Sequence, residues 1–177
     1  MLPVSAVREG FGVRRELIVT MYDRAGNVVG GCRTPNHLTD SGLVSMAKAW
    51  GGFFATGVIT TPRIIAIGVG TTPPEDTDTQ LEAQIYQQFC DNLNPTTGAG
   101  VAGIVNVNSV TLQATIDFGQ PSQQNPNGVV ITEAGLFTQQ SPSNILVSRV
   151  LLPTPITKTS EIKLLMQFIH TFERKET

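Results

Sequence analysis

Apolar and polar residues alternate with a period of two along much of this chain, the pattern of strands with one wet face. The clearest run is Val110–Phe118, where Val110, Leu112, Ala114, Ile116 and Phe118 alternate with Thr111, Gln113, Thr115 and Asp117. Upstream the apolar positions shift to Val105 and Val107, which predicts a bulge or turn near Asn108-Ser109. Residues 16–33 predict a hairpin: Leu17, Val19 and Met21 alternate with Ile18, Thr20 and Tyr22, and DRAGN supplies the turn. RIIAIGV at 63–69 predicts a short buried strand, and further strands fall near 129–137 and 145–152. A last strand at 161–172 puts Ile162, Leu164, Met166 and Phe168 on one face, with Leu165 and Ile169 partly covered on the other.

One segment has the helical period. Leu43, Met46, Ala47 and Trp50 fall at i, i+3, i+4 and i+7, which predicts a helix over about 40–50 with those residues, Trp50 included, facing the core. Thr39, Asp40 or Ser41 can cap it, and Gly51-Gly52 stops it. After the turn-rich GTTPPEDTD, LEAQIYQQF fits either a short helix, with Thr79 and Glu82 at capping-box spacing, or a strand. Residues 91–103 and 119–127 predict loops. The sum is a mainly β chain: an antiparallel β-sandwich of about seven or eight strands with one helix. Residues 1–15, with Pro3, Gly10, Gly12 and the basic Arg8, Arg14 and Arg15, predict an N-terminal arm, and 16–177 a single sandwich domain.

Charge sharpens this picture. Charged residues are 15% of the 177, well below the usual quarter, which points to surface hidden against partners. Residues 1–63 carry seven bases and four acids, whereas no Lys or Arg lies between Arg63 and Arg149, a stretch with seven acids. Nucleic-acid binding needs clustered cations, so the middle of the chain is unsuited to it. The basic arm is expected to dock on a neighbouring, acidic surface through Arg8, Arg14 and Arg15.

Candidate chemistry is sparse. Gly68-Val69-Gly70 lacks the third glycine, the GK[ST] and the following helix of a nucleotide-binding turn, so a tight turn is expected. Glu75, Asp76 and Asp78 match no calcium loop. Cys32 and Cys90 form no CxxC; a reduced compartment is the default, and whether either joins a single disulfide stays open. His37 lies in a loop beside the helix start, and His170 falls on the inward parity of the last strand, at the edge of the core. No GxSxG elbow, metal set, cofactor motif, leader or membrane segment is visible, and the expected class is non-enzymatic.

Several segments together resemble a broad family of small tailed-phage structural proteins of the tail-fibre-like, baseplate and collar type. They are AGNVV, LTDSGLVSMAKAW, IIAIGVGTTPPEDTDTQLEAQ, VTLQATIDFGQP, VVITEAGLF and ILVSRVLLPTPITKTSEIKLLMQF. That family has a strand ending in GxG, a D-T-x-L element, an I-x-E-x-G-L-F strand, an arginine-bearing strand, and a P-x-x-K linker into a long last strand. The likeness spans about residues 16–173. It implies a virion role and assembly with copies of itself into trimeric or hexameric rings, next to other tail, neck or fibre proteins. Position in the virion stays open. Because the chain ends just past the last strand, an adaptor, collar or baseplate subunit is expected rather than a receptor-binding tip. The competing reading is a receptor- or carbohydrate-binding sandwich on the virion surface. The aromatic content of 6% speaks against it.

One ion pair is expected from strand pairing. If the strands near 129–137 and 145–152 form a hairpin with Phe137 opposite Ile145, Gly135 faces Val147 and Glu133 faces Arg149. Opposed residues of opposite charge would fix the register. A Glu133 locked to a guanidinium would make a poor general base.

Overall fold

The computed structural model describes residues 10–50, 61–93, 102–121, 128–139 and 143–175. In chain order its elements are β1 (Gly10–Tyr22), β2 (Val28–Pro35), β3 (His37–Leu38), α1 (Asp40–Trp50), β4 (Pro62–Gly68), β5 (Gln84–Phe89), β6 (Gly103–Asn106), β7 (Ser109–Ile116), β8 (Val129–Thr138), β9 (Ile145–Lys158) and β10 (Lys163–Lys175). They form two five-stranded sheets, ordered β2-β1-β10-β7-β6 and β3-β9-β8-β4-β5, all pairs antiparallel. The molecule is a β-sandwich.

Alternation decides which side chains meet between the sheets. Leu17 and Val19 of β1, Leu112, Ala114 and Ile116 of β7, and Leu164, Met166 and Phe168 of β10 are buried. They join Ile65 and Ile67 of β4, Ile131, Ala134 and Leu136 of β8, and Val147, Val150 and Leu152 of β9 in one cluster. A second, smaller cluster of Ile64, Ala66, Leu81, Phe137 and Leu146 is separate from it. In β4 and β8 its members have the opposite strand parity, so they lie on the outer face of the second sheet. Leu81 brings the 69–83 connection down onto that face.

Ten strands are present among the described residues, more than the seven or eight expected. The shifted parity at Val105 resolves into a hairpin, with β6 and β7 joined by the two residues Val107-Asn108. LEAQIYQQF yields a strand, β5, and Glu82 reaches back to the 71–72 backbone instead of capping a helix. The Pro-rich PTPITK is no linker: β9 runs through it, and Lys158 pairs with Val129.

The arm boundary also moves. β1 begins at Gly10 and pairs along its whole length with β10, from Gly10 opposite Lys175 to Tyr22 opposite Lys163. Arg14 and Arg15 are therefore strand residues, because the ladder with β10 satisfies their backbone. Arg14 lies 3.4 Å from Glu173, and Arg15 is opposite the buried His170. Arg8 lies outside the described residues.

The helix is where expected, but it turns a different face inward. Leu43 is 54% exposed and Val44 and Ala47 are exposed, while Gly42 and Ser45 are buried and Met46 is half-buried. The side chain of Trp50 and the Gly51-Gly52 stop fall outside the described residues. The cause is a close approach that only small residues permit. β9 bulges at Val147, and a Cβ on Gly42 would sit 2.9 Å from the Val147 carbonyl carbon. Thr39 caps the helix by accepting from Gly42 N at 3.1 Å. Thr39 N also donates to the Val147 carbonyl, and the Thr39 and Ser41 hydroxyls donate to the Leu146 carbonyl. Backbone groups freed by the bulge thus become the seat of the helix.

Candidate functional site: a buried arginine hub

Arg149 and Glu133 are the most deeply buried ion pair in the described residues, at 2% and 0% exposure. Arg149 Nε donates to Glu133 Oε2 at 2.8 Å. The register differs from the expected one. The hairpin pairs Thr138, not Phe137, with Ile145, and the Val147 bulge adds a second residue of shift, so Arg149 faces Gly135 and Glu133 faces Leu151. Gly135 has no side chain to block the way, and the guanidinium reaches diagonally to Glu133.

The remaining guanidinium nitrogens turn to the 69–83 connection. Nη1 donates to Asp78 Oδ2 at 2.9 Å, and Nη2 to the Thr72 carbonyl at 3.1 Å, with Glu82 Oε2 at 3.5 Å. Glu133 binds the same connection from beneath. Its Oε1 accepts from Gly70 N at 3.1 Å and Ala83 N at 2.8 Å, and its Oε2 accepts from Glu82 N at 3.2 Å. Glu82 in turn accepts from Thr71 N, Thr72 N and the Thr72 hydroxyl. Three carboxylates thus surround one guanidinium, and backbone N–H groups offset the excess negative charge.

Electrostatics follow from these contacts. Burial works against the charge on Arg149, but its bonds to Asp78 and Glu133 outweigh that and hold its pKa above the ordinary arginine value. Burial likewise opposes ionisation of Asp78, yet the Glu75 N–H and Arg149 keep its carboxyl below the usual range. The Thr72 and Thr71 donors lower Glu82. Arg149, Asp78 and Glu82 are each thereby favoured in their charged forms.

The glycines of the IGVG turn belong to the hub. A Cβ on Gly68 would collide with the Glu133 carboxylate, and one on Gly70 would lie 2.6 Å from Glu133 Oε1. Leu81 packs against Gly135, where a Cβ would stand 2.8 Å from Leu81 Cδ2. The tight-turn reading of GVG was therefore incomplete: the pair makes room for a carboxylate. Asp78 and Glu82 were not linked to Arg149 from sequence. The usable signal was the lack of any Lys or Arg between 63 and 149, which leaves Arg149 as the first cation along the chain after that acidic segment.

Other candidate groups are engaged structurally. His37 Nε2 lies 2.8 Å from Asp76 Oδ1, without the angle of a good hydrogen bond. Cys32 and Cys90 are both free thiols. Burial, with Asp91 nearby, pushes the Cys90 thiol up to about 12, which silences it as a nucleophile. Among the described residues no group of three His, Cys, Asp or Glu side chains is placed to hold a metal ion. Among them, no helix is long and apolar enough to cross a membrane. A cavity of about 490 Å³ opens beside β5, lined by Tyr86, Phe89, Gln87, Gln88, Asp91 and Gln120 among others.

No protein-family model, curated protein or solved structure matches this chain.

Proposed function

We propose that this chain is a structural, non-enzymatic subunit of a tailed-phage virion, an oligomeric adaptor, collar or baseplate component that joins tail parts or attaches fibres. The observation that carries the reading is the convergence of its motifs. Three of the six segments behind the resemblance lie apart in sequence yet meet at one hub. The GxG turn supplies Gly68 and Gly70, D-T-x-L supplies Asp78 and Leu81, I-x-E-x-G-L-F supplies Glu133 and Gly135, and the arginine strand supplies Arg149. A motif set spent on fastening a connection to a sheet describes a scaffold. A catalytic set would leave an acid, base or nucleophile facing open space.

The tests are mass spectrometry of purified particles from the phage or prophage that encodes the chain, and a cryo-EM map of their tails. The expected result is a stoichiometric ring of copies at the neck, baseplate or fibre base. Absence of the chain from complete particles would overturn the reading.

The cavity beside β5 favours a second reading, a glycan-binding module. Its aromatic and amide lining suits a neutral sugar, and its size is that of a small-ligand site. Binding on a glycan array that is lost on Tyr86→Ala would support it.

A further inference from the structure

The first sheet fills the interior with Leu17 and Val19 of β1, Leu112 of β7, and Met166 and Phe168 of β10. The same strand parity carries two ionisable side chains to the end of that inner face. Arg15 precedes Leu17 by two residues, His170 follows Phe168 by two, and the ladder sets them directly opposite each other. Val110 of β7 flanks His170 on its other side. His170 is 6% exposed, and its Nε2 has no hydrogen-bond partner. Arg15 is half-buried, and its Nε is shut off from solvent, also without a partner.

No carboxylate of the chain is placed to balance Arg15. Among the described residues it forms no ion pair. Glu16, its neighbour on β1, has the opposite parity and is held by Arg33 at 2.6 Å, and Glu173 lies beside Arg14. Residues 51–60, 94–101 and 122–127 contain no Asp or Glu. Glu9 and Glu176 follow in sequence beyond Gly10 and Lys175, which stand about 16 Å along the strands from the pair. An unmet guanidinium donor closed off from water is costly, and a second unmet nitrogen opposite it adds to the cost.

We propose that Arg15 and His170 form a binding site for a carboxylate, its oxygens taken by the Arg15 fork and by His170 Nε2–H. The planar fork of a guanidinium matches carboxylate and phosphate oxygens alike. Charge decides between them. His170 is neutral at pH 7, so the pair carries one positive charge, which a carboxylate cancels and a phosphate of nearly two charges exceeds. Two sources carry this chemistry, a free small acid and the Asp or Glu side chain of a neighbouring protein. The site does not depend on the subunit reading.

The test is NMR on the full chain, following the Arg15 Nε–H and the His170 ring while sodium formate is titrated from low-salt buffer at pH 6.5. Sodium chloride and sodium phosphate are titrated separately. Formate should shift both signals saturably, and the other two salts should shift them much less. At saturating formate the midpoint of the His170 titration should rise by about one unit or more, the effect of an opposite charge at this range. Arg15→Gln should abolish the saturable shift. Arg15→Lys, which keeps the charge and loses the fork, should weaken it, and it serves as the reading if circular dichroism shows Arg15→Gln unfolded. The two sources separate on dilution without formate. Signals that depend on protein concentration, with association competed by formate in light scattering, identify a neighbour's side chain; signals that do not identify a free acid as the ligand. No saturable response to formate in a dilute sample overturns the site. So does an equal response to chloride, which would mean an adventitious ion only, and so does a formate response that survives in both Arg15 variants.

Discussion

Arg149 lies across the ladder from Gly135, yet its guanidinium bonds Glu133 two residues away at 2.8 Å. The diagonal works because the glycine leaves the intervening space open. It places the charge at the centre of the outer face of the second sheet, under the 69–83 connection. A buried pair of this kind is costly to break by halves, since the surviving charge is left without its partner.

Arg149→Met should therefore destabilise the chain by about 3–5 kcal/mol. Glu133→Gln should cost less, because its carbonyl oxygen can still accept from Gly70 N and Ala83 N. In the double variant the losses should fall short of additive by about 1–3 kcal/mol. Urea unfolding of the four proteins measures this. A coupling energy near zero would mean that the pair is energetically idle.

Alternation made the sandwich legible, because period two survives wherever one sheet face is dry. The Glu133–Arg149 pair was legible too, as opposite charges on two otherwise apolar strands. Its register was not: the turn pairs Thr138, not Phe137, with Ile145, and a one-residue bulge at Val147, on which the helix N-terminus is seated, adds a second residue of shift. The helix face was misread for the same reason. Periodicity weighs Leu43 and Ala47 as core, but Gly42 and Ser45 win the contact because the backbones approach too closely for larger side chains. The β1 start was hidden by glycines at 10 and 12, which in sequence look like arm and in the fold pair with β10.

Gly70→Ala tests the seating of the carboxylate. Its Cβ would meet Glu133 Oε1 and Glu82 Cβ, each at 2.6 Å, and both side chains are pinned by several bonds. The expected loss is about 1–3 kcal/mol, the usual cost of overpacking. Gly119→Ala, where the added Cβ meets nothing within 4 Å, is the control and should be near neutral. Equal effects from the two substitutions would contradict the proposed crowding.

Thiol labelling separates the cysteines. With its thiol pushed up to about 12, Cys90 is ionised to roughly one part in ten thousand at pH 8. Cys32 is half-buried, and burial raises its pKa as well. A thiol reagent should modify one cysteine slowly in the native chain and the second only after denaturation. Cys32→Ser should abolish the native reaction. Equal rates for the two thiols would refute the assignment.

His170 supplies the acid sensitivity of the fold. It is buried on β10, opposite Arg15 of β1 and Val110 of β7, and its Nε2 has no hydrogen-bond partner. Burial first, and then the Arg15 guanidinium, pull its pKa down to about 4 from 6.5. Between those two values the unfolded chain binds a proton that the native chain refuses, so stability is complete above pH 6.5 and drains away as pH falls toward 4. The full linkage is about 3 kcal/mol, at 1.36 kcal/mol per unit. The lowered carboxyls of Asp78 and Glu82 act in the same direction but further down, as pH drops through their own folded values. His170→Leu removes the first effect only. Its unfolding free energy should stay nearly flat from pH 7 to 4.5, where the wild type declines. At neutral pH the variant should be close to the wild type, since Leu leaves no buried nitrogen unpaired. A wild-type decline that persists unchanged in His170→Leu would place the acid-sensitive group elsewhere.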